Sequence, residues 1–147
     1  MIIDLNIQNN KDIPNFLYDV CIIGAGAAGI TVANELGASG LKIALIEAGS
    51  TEFTEESQDL YQGKITGDPY LPLDVTRLRY LGGSTNHWGG MCRTFEEVDF
   101  DRGYLGDEYK WPIEFNEIYK YLEKACKILE IDNNFEYPDS NLENVKP

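Results

Sequence analysis

The chain has 147 residues, 43% of them hydrophobic, enough for one globular domain with a core. Its 12 Lys and Arg residues stand against 25 Asp and Glu, and a formal charge of -13 excludes nucleic acid and anionic membrane surfaces as natural partners. Three widely spaced cysteines, Cys21, Cys92 and Cys126, form no C-x-x-C pair, so neither a disulfide framework nor a zinc site is expected.

Residues 1–17 read as an N-terminal extension. Met1-Ile2-Ile3-Asp4-Leu5-Asn6 holds neither a basic stretch nor a long apolar run, which predicts no signal peptide, no membrane span and a cytoplasmic location. Asp19-Val20-Cys21-Ile22-Ile23 is a short apolar run that predicts a buried parallel strand, with Cys21 as a packing residue. It ends at the fingerprint Gly24-x-Gly26-x-x-Gly29, whose glycines serve a tight turn, close approach of backbone to a pyrophosphate, and close packing of helix on strand. Ala27 to about Ser39 predicts a helix broken by Gly37 and Gly40, and Lys42-Ile43-Ala44-Leu45-Ile46 predicts a second buried strand. The fold class that follows is α/β, the βαβ start of a Rossmann-like parallel sheet. Glu47 lies 18 residues beyond Gly29, near the spacing at which a carboxylate reaches the ribose hydroxyls of an ADP-containing dinucleotide and disfavours a 2′-phosphate.

From Thr51 to Thr76 the chain is irregular, punctuated by Gly63, Gly67, Pro69 and Pro72, and the acidic run Glu52, Glu55, Glu56, Asp59 predicts a solvated loop or helix face. Gly82-Gly83-Ser84-Thr85-Asn86-His87-Trp88-Gly89-Gly90 comes next. Adjacent glycines let backbone lie against a flat ring, and Ser84, Thr85 and Asn86 offer short polar groups to a diphosphate or to ring heteroatoms. Thr94 to Lys110 reads as loop. Phe115, Ile118, Tyr119, Leu122, Ala125, Cys126 and Leu129 then recur at intervals of three and four, predicting one amphipathic helix with an apolar stripe. On that stripe Cys126 is a packing residue, whereas Cys92, just past the glycine loop, reads as structural in preference to redox-active.

The stretch from about Tyr18 to Ile131 resembles the glucose-methanol-choline (GMC) oxidoreductases, flavoenzymes that oxidise alcohols and sugars. The resemblance rests on Ile22-Ile23-Gly24-Ala25-Gly26-Ala27-Ala28-Gly29 with Leu45-Ile46-Glu47-Ala48-Gly49, on Arg79-Tyr80-Leu81 running into the loop from Gly82 to Gly90, and on Trp111-Pro112-Ile113. It is nearest the branch of pyranose oxidases and sugar-acid and fructose dehydrogenases. It implies FAD as cofactor, held by Gly24, Gly26, Gly29, Glu47, Gly82, Gly83, Ser84, Asn86 and His87. It also implies an alcohol or sugar substrate that passes a hydride to the flavin. His87 is the single histidine of the chain. In the resembling branch a histidine at this place is bonded covalently to the flavin ring; the other role open to it is hydrogen bonding or packing beside Trp88.

On this reading residues 18–147 are a partial FAD-binding domain, the front of a longer enzyme: a fragment, a truncated gene or one piece of a split protein. The catalytic base then comes from a missing C-terminal half or a companion subunit, and no residue here is assigned a catalytic role. The alternative is a noncatalytic dinucleotide-binding module. Other flavoprotein classes fit less well. A disulfide reductase needs a cysteine pair soon after the fingerprint helix, and 49–90 contains no cysteine; an amine oxidase would lack the Gly82 to Gly90 loop in this form.

Overall fold

The computed structural model describes residues 2–5 and 17–133. The chain packs as two compact units that divide between Gly89 and Gly90.

In the first unit, strand β1 (Val20–Ile23) and strand β2 (Ile43–Ile46) pair in parallel, in the register Val20 to Ile43 through Ile23 to Ile46. Both start one residue later than the apolar runs, because Asp19 fastens the entry. Its N–H donates to the Lys42 carbonyl at 2.8 Å, and its carboxylate accepts the Lys42 N–H at 2.8 Å. Helix α1 (Ala27–Gly37) makes the crossover and packs on both strands. It ends two residues short of the expected Ser39. There the Ser39 N–H and hydroxyl both turn back to the Leu36 carbonyl, and Gly40 follows in the left-handed region.

The βαβ start of an α/β, Rossmann-like domain is therefore present, but its strands are not buried on both faces. Alternation along β1 leaves Val20 and Ile22 half-buried while Ile23 is 86% exposed. Cys21 is exposed as well, which corrects its expected packing role: it points to the sheet face that no described element covers.

Between the sheet and the glycine loop, the expected irregular stretch holds helix α2 (Glu55–Gln58), a 3-10 turn at Asp59–Tyr61, and helix α3 (Leu73–Thr76). Thr54 caps α2 by accepting the Ser57 N–H at 3.2 Å. Glu55, Glu56 and Asp59 are exposed, as a solvated face requires.

In the second unit the expected loop from Thr94 to Lys110 contains helix α4 (Glu97–Phe100) and 3-10 turns at Gly103–Leu105 and Asp107–Tyr109. A capping box starts α4, with the Asp99 carboxylate accepting the Glu96 N–H at 2.8 Å. The single helix expected from the apolar stripe is two, α5 (Phe115–Tyr119) and α6 (Leu122–Leu129). The step between them is one tighter turn, in which the Tyr121 N–H donates to the Ile118 carbonyl at 2.9 Å. Periodicity of three and four survives such a step, so the sequence pattern cannot reveal it. Only part of the stripe turns inward: Phe115, Ile118 and Leu122 are half-buried and Cys126 is buried as expected, while Tyr119, Ala125 and Leu129 are exposed. Phe100 sits among Phe95, Trp111 and Phe115 with ring centroids 5.5–5.9 Å apart.

Candidate functional site

The fingerprint forms a turn between β1 and α1. Gly24 has φ +97° and its N–H donates to the Ile46 carbonyl at 2.7 Å, so the turn is locked to the end of β2 by a residue in a conformation that favours glycine. A Cβ at Gly29 would overlap the Gly24 carbonyl oxygen and lie 3.1 Å from its carbon, so this glycine is what lets α1 sit down on the turn. Gly26 differs from both. It is the N-cap of α1, has φ -84°, receives no side-chain cap, and a Cβ there would meet nothing within 4 Å. The start of α1 thus presents an open space in front of an uncapped helix N-terminus, which fits a diphosphate.

Glu47 follows β2 and turns its carboxylate onto the same corner. One oxygen accepts the Ala25 N–H at 2.8 Å; the other accepts the N–H groups of Ala48 at 2.9 Å and Gly49 at 3.1 Å. Three donors hold the side chain in a fixed orientation, and a carboxylate has about four acceptor positions, which leaves capacity for a ribose hydroxyl.

The second glycine block returns to this turn from more than fifty residues away. Gly82, φ +91°, donates its N–H to the Ala25 carbonyl at 2.8 Å and opens a 3-10 helix over Gly83–His87. A Cβ on Gly83 would lie 3.4 Å from the Gly26 Cα, so the two blocks meet backbone to backbone. Leu81 donates to the Ser50 carbonyl at 3.0 Å, and Gly49 leaves no room for a side chain against Arg79 and Tyr80.

The polar residues of the loop fold back upon it. The Asn86 amide donates to the carbonyls of Leu81 at 2.9 Å and Gly83 at 3.0 Å, Ser84 accepts the Leu78 N–H at 3.3 Å, and Thr85 donates to the Gly82 carbonyl. Their visible work is to shape the loop. His87 and Trp88 are exposed at its end.

The structure thus brings Gly24, Gly26, Gly29, Glu47, Gly82 and Gly83 into one corner, with Ser84 and Asn86 bracing it and His87 beyond. The acidic run hides Ser57 and Gln58, whose side chains reach the lead-in to the loop; nothing in their spacing marks them, since they bond to backbone distant in sequence. Two surface grooves lie in the second unit: one of about 400 Å³ beside Trp111 and Glu114, and one of about 230 Å³ beside Tyr119 and Leu122. A crevice at the end of two parallel strands is open on one side, so volume is a poor guide to it. Among the described residues no helix is long and apolar enough to cross a membrane.

Residues 19–132 match the family described as FAD dependent oxidoreductase, DAO. A curated relative, the 6'''-hydroxyparomomycin C oxidase of Streptomyces lividus, is 28% identical over 122 residues, which cover 73% of this chain and 22% of that protein. The chain therefore spans about a fifth of the length of that relative. A glycine turn locked to two parallel strands, an open space before the helix it starts, and a family match across nearly all of the described residues lead to one conclusion: the chain belongs to the FAD dependent oxidoreductase (DAO) family, and FAD is its cofactor.

Proposed function

We propose that the chain is the N-terminal, FAD-holding part of a GMC-type oxidoreductase that oxidises a CH–OH group of an alcohol or sugar. The observation that carries this reading is the contact of the second glycine block with the first, Gly82 on Ala25 and Gly83 beside Gly26. A turn for the diphosphate is common to many flavoproteins; a glycine loop brought back onto it is what the GMC resemblance calls for. The relative named as an oxidase of a hydroxy compound points the same way.

In this reading Gly24, Gly26 and Gly29 with the start of α1 hold the diphosphate, and Glu47 takes the ribose hydroxyls. The Gly82 to His87 loop lies toward the ring, with Ser84 and Asn86 keeping its shape. When bound, FAD supplies the hydride acceptor. The residues of this chain orient it and keep water from one side of it. The base that removes the hydroxyl proton, and the strands that complete the sheet, belong to further polypeptide: the rest of a longer chain or a companion subunit. Residues 18–147 are then one part of an FAD-binding domain.

Anaerobic reduction of the complete protein tests this. A panel of alcohols, sugars and amines is mixed with it, and loss of oxidised-flavin absorbance is followed. Bleaching by CH–OH donors, slowed by deuterium at the carbinol carbon, is the expected result. Bleaching by amines alone sinks the CH–OH assignment, and bound flavin that no donor reduces identifies a noncatalytic module.

A further inference from the structure

We propose that Gln58 is a positioning residue of the cofactor site: from the four-residue helix α2 its side chain clamps the lead-in to the glycine loop and so seats Gly82 and Gly83 on the fingerprint turn. The inference rests on the reading that this loop contributes to the FAD site.

The lead-in from Arg77 to Leu81 joins no sheet, so its peptide groups need partners from elsewhere. Gln58 meets three such needs with one amide. Its Nε2 donates to the carbonyls of Asp74 at 2.7 Å and Arg77 at 2.6 Å, and its Oε1 accepts the Arg79 N–H at 3.1 Å. Both donors of the primary amide and its carbonyl oxygen are engaged. Gln58 is only 8% exposed, among the least exposed of the described residues. It closes the end of α3, whose last carbonyls have no helical partner, and passes the chain on in an extended form.

Ser57 grips the next point. Its hydroxyl donates to the Arg79 carbonyl at 3.0 Å and accepts from Arg79 Nη1 at 2.8 Å, and the same Nη1 donates to the Ala48 carbonyl at 3.1 Å. Arg79 is thereby held at its N–H, its carbonyl and its guanidinium. Two residues later Leu81 bonds to Ser50, and one further on Gly82 bonds to Ala25. The clamp therefore sits at the near end of a short path, tethered at Arg79, Leu81 and Gly82, to the corner where the two glycine blocks meet. Loss of the clamp frees the path, and the seated loop becomes one conformer among several.

The test compares the FAD-bound complete protein with Gln58→Glu, which is similar in size and keeps an acceptor for Arg79 but cannot, when ionised, donate to Asp74 and Arg77. If the seated fraction falls to about a tenth, the FAD dissociation constant rises about tenfold. To the extent that FAD also binds with the loop unseated, the loss of affinity is smaller and the visible circular dichroism of the flavin at saturating FAD changes instead, which a uniform loss of stability would not produce. Gln58→Glu with far-ultraviolet dichroism, FAD affinity and visible flavin dichroism all as in the wild type overturns the clamp. Should Gln58→Glu fail to fold, Ser57→Ala decides: a weaker FAD affinity or a changed flavin signal supports the clamp, and wild-type values of both overturn it. Gly26→Ala is run alongside. If it loses FAD while Gln58→Glu and Ser57→Ala behave as wild type, the clamp alone is wrong; if it binds FAD normally, the site reading fails and the clamp's role with it.

Discussion

Gly29→Ala and Gly26→Ala are the same chemical change three residues apart, and the structure assigns them different consequences. At Gly29 the new Cβ overlaps the Gly24 carbonyl oxygen and approaches Ile22 Cγ2 to 3.4 Å. Relief requires α1 to move off the turn by over an ångström, since an unstrained carbon-to-oxygen contact is about 3.3 Å or more. Overpacking of this kind costs about 1–3 kcal/mol, offset by up to about 1 kcal/mol from the better helix propensity of alanine. The net loss is up to about 3 kcal/mol, read as a fall in melting temperature. At Gly26 the Cβ meets no protein atom and φ -84° is allowed for alanine, so the apoprotein loses only the modest preference for glycine over alanine at an N-cap. The methyl group instead stands in the open space before α1, where a diphosphate must approach the backbone. Affinity for FAD falls by about 10- to 100-fold, taking about 1–3 kcal/mol for the intrusion. Thermal melts of apoprotein and fluorescence titration with FAD separate the two effects. Wild-type FAD affinity in Gly26→Ala, or an apoprotein destabilised more by Gly26→Ala than by Gly29→Ala, refutes the reasoning.

Glu47→Gln replaces an oxygen that accepts backbone N–H groups with a donor, and a lost charge-assisted bond of this kind lowers stability by about 1.5–3 kcal/mol, read by denaturant melts with and without FAD. Gly82→Ala places a side chain at φ +91° with its Cβ 2.7 Å from the Asn86 amide nitrogen, so FAD affinity falls, and titration against Gly63→Ala, a glycine where a Cβ would meet nothing within 4 Å, isolates the effect. Acid denaturation of the FAD-bound protein separates the two roles open to His87: flavin retained on its peptide makes it the attachment point, and free FAD in the supernatant leaves it the hydrogen-bonding or packing role beside Trp88. In α6 the Glu123–Lys127 pair at 2.7 Å lowers the Glu123 pKa, first through its hydrogen bond to Lys127 and then through that charge, and raises that of Lys127 for the same reasons. Its contribution is full above the ordinary carboxyl value of 4.5 and is lost as pH falls through the lowered Glu123 value; at the alkaline end it is full below 10.5 and lost as pH rises through the raised Lys127 value. Both groups are fully exposed, so Glu123→Gln changes stability little and added salt removes the difference.

The corner around the fingerprint was legible because its requirements are local. Two apolar runs, a glycine turn and an acidic residue at a fixed distance describe β1, α1, β2 and Glu47 with errors of one or two residues, and those errors come from Asp19 and Ser39 bonding to backbone. Cys21 was misread for a different reason. An apolar run of four residues implies burial on both faces of a sheet, and burial depends on what covers the second face, which lies outside the run. The start of α4 was hidden because its capping box uses Glu96 where Ser or Thr is the usual signal. The role of Gln58 was not legible at all: its partners are backbone atoms 16 to 21 residues away, and backbone atoms leave no trace in a pattern of side-chain types.

Side by side, the glycines of the two blocks show how a fold and a site divide the same residue type. Gly24 and Gly82 answer to backbone conformation, Gly29 and Gly49 to crowding by their own chain, and substitution at any of these is resisted by the protein itself. Gly26 answers to neither. Openness alone does not distinguish it, since Gly37 and Gly63 are equally open; what distinguishes it is that its open side stands at the uncapped start of an eleven-residue helix, with Gly83 packed behind its Cα. A glycine that nothing in the protein requires, placed where backbone donors converge and a second glycine loop closes the back, is most simply required by what binds there. The family match names that ligand as FAD. The two kinds of glycine work as a pair: the crowded ones build the corner, and the uncrowded one keeps it open.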